Sequence, residues 1–158
     1  MPEIVPCLWF DTQAEEAAEF YVSVFPNSKV TSVDRYGEAG PRPAGTVLTA
    51  AFELDGKPFL ALNGGPEFTF DEAVSMQVFC ADQQEVDHYW ASLTADGGQE
   101  SQCGWLKDRF GFSWQIVPTR LTELLHDPDP ARAQRAMSAM LRMRKIVIAE
   151  IEDAADGG

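Results

Sequence analysis

Apolar and polar positions along this chain follow two rhythms, and the rhythms come in the same order twice. A short apolar run at 4–10 breaks at Asp11, and then Ala17, Phe20, Tyr21, Val24 and Phe25 recur at i, i+3, i+4, i+7 and i+8. That spacing predicts an amphipathic helix that keeps Glu15, Glu16 and Glu19 in water. Shifting the sequence by 69 residues lays 4–25 over 73–94 and sets Val5 on Val74, Phe10 on Phe79, Glu16 on Glu85, Tyr21 on Trp90 and Val24 on Leu93. The second helix carries Val86, Tyr89, Trp90 and Leu93 on its apolar side. Asp11 or Thr12, and Asp82, are the expected N-caps, and "FPNS" and "DGG" the stops.

Extended segments follow each helix. In the first half they are expected at 29–36, 46–54 and 57–63, the last two joined by an Asp55-Gly56 hairpin turn. In the second half they fall at 99–103, 105–109 and 112–117, joined by Phe110-Gly111. Each half thus reads strand, helix, strand, strand, strand. The Gly- and Pro-rich stretch 37–45 reads as a mobile loop. After Pro118 the pattern changes. Asp129 as N-cap and Pro130 at the first helical position open a helix with Ala133, Met137, Met140, Leu141 and Arg144 down one side. Its Met stripe suits either a dimer contact or a cover for the chain's own core. The "KIVIAEIEDA" stretch is compatible with strand or helix.

Composition then removes whole classes of function. The chain has 158 residues and a net charge of −13, a repulsive surface for nucleic acid or an anionic membrane. Five basic residues fall between Arg132 and Lys145, at helical spacing, and read as a solvated helix face. Cys7, Cys80 and Cys103 are odd in number with no paired spacing, so neither a disulfide framework nor a zinc knuckle is expected. No apolar run of membrane-spanning length occurs, and "MPEIVPCLWF" has no basic leader, so a cytoplasmic setting is expected.

The stretches "PCLWFDTQAEEAAEFYVSVFPNS", "FLALNGGP", "DQQEVDHYWASL", "CGWLKDRFGFSWQIVP" and "DPDPARAQRAMSAMLRMRKI" cover nearly the whole chain. They resemble the PhnB-like branch, often labelled demethylubiquinone methyltransferase-like, of the vicinal oxygen chelate superfamily, which includes glyoxalase I, extradiol dioxygenases and the bleomycin- and fosfomycin-resistance proteins. The resemblance implies an α+β fold: two tandem βαβββ modules, 1–66 and 67–118, forming a curved mixed sheet within one compact domain, with a helical tail at 119–158. In metal-using relatives, His and Glu side chains from the first and last strand of each module converge on a divalent ion in the concave cup.

On this chain those four positions fall on Val5, Leu60, Val74 and Gln115, and the strands bearing them contain no His, Asp or Glu. No site-bound metal is therefore expected. His88 reads as a helix-surface residue and His126 as a partner for a helix C-terminus. The methyltransferase label needs a glycine-rich loop opening a helix, and "NGGP" (63–66) leads into no helix start. Cys7 lacks a histidine neighbour and reads as a packed hydrophobe, Ser113 has no triad partners, and "LKDRF" (106–110) reads as an exposed charged hairpin with Arg109 as a possible anion contact.

What remains is an apolar cup lined by Val5, Cys7, Trp9, Leu60, Leu62, Val74, Met76, Val78, Ser113, Gln115 and Val117. Trp114 and Ile116 are expected to face the helices. Such a lining suits a small-molecule site or a filled core. The ligand-binding candidates are Cys7, Trp9, Leu60, Leu62, Met76, Ser113 and Gln115. The expected function is cofactor-free binding of a small apolar or aromatic molecule by a homodimer. A metal-dependent glyoxalase- or dioxygenase-type enzyme and a drug-sequestering protein are the alternatives.

Overall fold

In both halves of the repeat, strand, helix and three further strands form in the expected order. The structure is a computed structural model describing residues 1–158, and it divides into two compact units, Met1–Phe70 and Asp71–Gly158. The first holds β1 (Cys7–Phe10), α1 (Ala14–Val24), β2 (Lys29–Arg35), β3 (Val47–Leu54) and β4 (Lys57–Asn63). Its sheet runs β1-β4-β3-β2, with β1 parallel to β4 and the other pairs antiparallel. The second holds β5 (Ser75–Cys80), α2 (Gln83–Thr94), a 3-10 turn at Ala95–Gly97, β6 (Gln99–Glu100), β7 (Trp105–Lys107) and β8 (Ser113–Pro118). Its sheet repeats the plan, β5-β8-β7-β6, with β5 parallel to β8.

One helix lies against each sheet, so alternation along the strands decides what is buried. On the helix side of the first sheet Leu8, Phe10, Ala50, Phe52 and Ala61 are buried, packed with Ala14, Ala17, Ala18 and Tyr21 of α1. On the second, Trp114, Ile116, Leu106 and Cys80 meet Val86, Trp90 and Leu93 of α2. Trp114 and Ile116 are thus turned as the alternation predicts. The Asp55-Gly56 turn has both residues at positive φ, 49° and 73°, the conformation that matches strand twist in a two-residue hairpin.

Helix starts divide between expectation and correction. Asp82 caps α2, accepting from Glu85 N at 2.9 Å while the Glu85 carboxylate accepts from Ala81 N at 2.8 Å. Neither Asp11 nor Thr12 caps α1; its N-cap is Gln13, with no side-chain bond. The buried Asn63, at the end of β4, supplies the acceptor instead, taking the Ala14 N–H at 2.8 Å and donating to Val47 O at 3.1 Å.

The turn between β7 and β8 corrects a second expectation. Asp108 is only 2% exposed, not part of an exposed charged hairpin. Its carboxylate accepts from Phe110 N (2.8 Å), Phe112 N (3.1 Å) and Trp114 Nε1 (2.9 Å). Arg109 instead reaches Asp96 at 3.1 Å.

The tail forms α3 (Thr119–Leu125), α4 (Pro130–Met140) and α5 (Ile148–Ala155), so "KIVIAEIEDA" is helical from Ile148 onward. Asp129 caps α4, with Pro130 in its first turn. The core side of α4 is its alanine stripe, Ala136 and Ala139, packed with Leu121, Leu124, Ile146, Ile151 and Ala155. Met137 and Leu141, expected on the apolar stripe, are 37% and 59% exposed. Small residues face inward because helices approach closely only where side chains are short. The tail is stitched to the second unit by Cys103 N to Met143 O (2.8 Å) and Gly104 N to Arg144 O (2.7 Å). Gln83 adds a two-way clamp, donating to Ile146 O and accepting from Ile148 N.

Replacing Asp108 with alanine strands three donors, two of them buried. We expect a loss of about 3 kcal/mol in urea unfolding, and roughly half that for Asp108→Asn, which keeps one acceptor oxygen. An alanine variant losing under about 1 kcal/mol would contradict this role.

Candidate functional site

Each sheet has a face turned away from its own helix, α1 or α2, and the candidate residues separate by that face; at the far end of the second sheet Val117 packs against the helical tail. In the first unit the register pairs Cys7 with Leu60 and Trp9 with Leu62. All four share the open face, alternating with the buried Leu8, Phe10 and Ala61. Trp9 closes one end: its Nε1 donates to Gly65 O at 2.9 Å, and its ring meets Phe68 edge-on at 5.0 Å. A Cβ at Gly64 would come within 2.4 Å of that indole, so "NGGP" is the seat of a tryptophan. The 37–45 loop folds back at its base through Gly45 N to Tyr36 O and Tyr36 N to Thr46 O, both 2.8 Å. Arg42 ties it to Asp11 at 3.2 Å.

In the second unit the strand register corrects the sequence alignment by one residue. Helix positions do repeat at 69: Ala17 and Val86, Tyr21 and Trp90, and Val24 and Leu93 occupy equivalent places. The break before the helix, however, is three residues after β1 and two after β5. The strands therefore repeat at 70, with buried Phe10 matching buried Cys80, and a one-residue slip moves every side chain to the opposite face. Met76 pairs with Trp114 and Val78 with Ile116, on the helix side, and neither borders the open face. The open-face residues of β5 are Ser75, Gln77 and Phe79, and Val74 lies just before the strand, 65% exposed.

Gln115 sits in the middle of this face. It pairs with Gln77 on one side and Trp105 on the other, while Ser113 pairs with Ser75 and Lys107. The Gln115 amide donates to Ser75 Oγ at 2.8 Å, and its oxygen accepts from Gln77 Nε2 at 3.3 Å. Both ends of the amide are thus engaged. Ser113 Oγ is buried without a hydrogen-bond partner. Lys107 Nζ meets Glu72 Oε1 at 2.6 Å, and that pairing holds the Glu72 carboxyl below the usual range. The sequence missed Ser75 and Gln77 because the 69-residue offset turned them inward.

The donor set does not fit a divalent ion. With the strand offset corrected, the four family ligand positions carry Val5, Leu60, Ser75 and Gln115, which include no anionic or imidazole donor. Nowhere do three His, Cys, Asp or Glu side chains gather closely enough to hold a metal. His88 is exposed on α2, and His126 caps α3, its Nδ1 2.8 Å from Thr122 O. Nor do the residues fit S-adenosylmethionine: Trp9 fills the Gly64 approach, and no helix follows before Ser75.

Duplicated βαβββ units with these sheet orders and an open face on each define a vicinal oxygen chelate fold. The chain belongs to the family described as 3-demethylubiquinone-9 3-methyltransferase, whose model matches residues 2–117, and it is a PhnB-like member of that superfamily. A Bacillus cereus PhnB protein described as a 3-demethylubiquinone-9 3-methyltransferase is 35% identical, with a TM-score of 0.67 over 74% of this chain and 99% of that one. A Pseudomonas aeruginosa protein is 20% identical, with a TM-score of 0.60 over 75% and 98%. A Listeria monocytogenes fosfomycin resistance protein, 12% identical with a TM-score of 0.51 over 75% and 93%, shares the fold. No curated protein matches this chain. No helix is long and apolar enough to cross a membrane.

Cys7, expected as a packed hydrophobe, is exposed because it begins β1 on the side away from α1, whereas Cys80 is buried at the end of β5. Desolvation pushes the Cys7 thiol above its ordinary value, and burial beside Glu85 and Asp82 pushes Cys80 up to about 12. Only the thiolate alkylates. Iodoacetamide labelling of Cys7, followed by peptide mass spectrometry, is expected to rise about ten-fold per pH unit through pH 9, with Cys80 unlabelled in the native chain. A rate that levels off below pH 8 would contradict this.

Proposed function

We propose that this chain is a metal-free binding protein of the PhnB-like family that holds a small apolar or aromatic molecule against the open face of its second sheet, oriented by Gln115. The observation that carries this reading is the hydrogen-bonded line Ser75–Gln115–Gln77. It puts ordered but uncharged polar atoms where metal-using relatives need carboxylate or imidazole. Around it are Trp105 and Phe79, the latter 57% exposed. An apolar surface with a few fixed polar points is the make-up of a small-molecule site. Ile4 and Val5, adjacent in sequence and both exposed ahead of β1, support a homodimer, because an apolar patch left in water marks an interaction surface. Three cysteines, odd in number and widely spaced, support a cytoplasmic setting.

The test is a titration of the isotopically labelled chain with 1-naphthamide, followed by amide chemical shifts. Perturbations are expected to centre on β5, β7 and β8. Gln115→Leu should weaken the probe about five-fold, the worth of one net hydrogen bond, with the fold intact. No perturbation of these strands, or purified untagged protein carrying about one divalent metal per chain, would overturn the reading.

A further inference from the structure

We propose that Ser75, Ser113 and Lys107 form an anion subsite on the second sheet, taking the carboxylate of an aromatic carboxylic acid, with Glu72 standing in for that group in the unliganded chain. This rests on the binding reading above and names the ligand class.

The three residues form one row, since the register sets Ser113 of β8 between Ser75 of β5 and Lys107 of β7. All three offer donors. The Ser75 oxygen already accepts from Gln115 Nε2, which leaves its own proton to give. Ser113 Oγ is buried and unpartnered, and a native structure rarely leaves such a group idle without water or ligand to meet it. Lys107 supplies the charge, and it is the one cation in these rows.

Glu72 shows which chemistry the row takes. Its carboxylate meets Lys107 Nζ at 2.6 Å from three residues upstream of Ser75. Because β8 lies between β5 and β7, this ion pair runs across the Ser113 end of β8. The Glu72 side chain is 62% exposed, and an exposed pair is held weakly enough for a ligand carboxylate to exchange with it. Beyond the row the face continues through Gln77, Gln115 and Trp105 to the exposed Phe79, while Val117 beside it is covered by the helical tail. A ligand with its carboxylate on the row would lay its ring along Trp105 and the apolar end.

The experiment titrates the full chain with 1-naphthoate and with neutral 1-naphthamide. Naphthoate is expected to bind about five-fold tighter, Lys107→Met to erase that preference, and Ser113→Ala to weaken naphthoate about five-fold. Glu72→Gln, at an exposed site that threatens no fold, should tighten naphthoate roughly three-fold and leave naphthamide unchanged. Equal affinities for the two probes, with Gln115→Leu still weakening both, would overturn the anion row and leave the binding reading standing. Binding of neither probe would overturn both. A Glu72→Gln variant that leaves naphthoate unchanged or weakens it would also overturn the row.

Discussion

A single helix lies across each four-stranded sheet, and a helix can cover only one face. This constraint organises everything else. Along the inner strands β3, β4, β7 and β8 one set of alternating side chains lies toward α1 or α2 and is largely apolar, while the other set is released from that duty. Phe52, Tyr21, Trp90 and Trp114 fill the covered side. Ser75, Gln77, Gln115 and Lys107 are tolerated on the other because neither α1 nor α2 seals it, and Ser113, on the same side, is nonetheless buried. Where a polar side chain does enter the covered layer it is fully employed: Asn63 caps α1 from β4, and Asp108 gathers three donors at the head of β8. Both tie segments distant in sequence or shape, and both rest on satisfied buried bonds.

The local features were legible in the sequence. The helical periods of α1 and α2, the Asp55-Gly56 turn, the Asp82 cap and the Asp129-Pro130 start all follow from short-range sterics and hydrogen bonding, which depend on neighbouring residues alone. Gln115 was also readable as an amide on the open side of a strand. What was lost depends on counting or on distant partners. Helix and strand repeats differ by one residue because the breaks after β1 and β5 differ in length, and alternation turns that single residue into an inverted face. Hence Met76 was expected beside the ligand, while Ser75 and Gln77 went unnoticed. Asp108 looked like a surface charge because its Trp114 partner lies six residues on, across a turn. The α4 interface followed size rather than hydrophobicity: Ala136 and Ala139 pack, and Met137 stays out.

The family's name and its best-known chemistry both ask for groups this chain does not offer. A divalent centre needs several anionic or imidazole ligands converging, and the corresponding positions here are two aliphatics, a hydroxyl and an amide, the last two bonded to each other. Methyl transfer from S-adenosylmethionine needs backbone at a glycine turn to approach the cofactor, and at Gly64 that space is taken by the Trp9 indole. The fold is shared with proteins of 12 to 35% identity, and fold alone does not carry function. Its second sheet carries a gradient of polarity along β8, from Ser113 beside Lys107 of β7, through Gln115, to Val117 at the other end.

That gradient has a physical consequence for any acidic ligand. The protein carries a net charge of −13, so an approaching anion is repelled at long range, although physiological salt screens this beyond about 8 Å. Attraction has to be local, and Lys107 with two neighbouring hydroxyls supplies it over a few ångströms. Glu72 fits the same logic. In a strongly acidic chain an unpaired lysine next to a buried hydroxyl would attract whatever carboxylate is nearest, and the nearest is the chain's own. If the proposed anion row binds an acid, the Lys107–Glu72 pair would set a threshold: an acid without an aromatic body would gain nothing over Glu72, whereas one that also covered Trp105 and Phe79 would. Selectivity for aromatic acids would then arise from competition with an internal carboxylate, with no metal and no enclosing charge required.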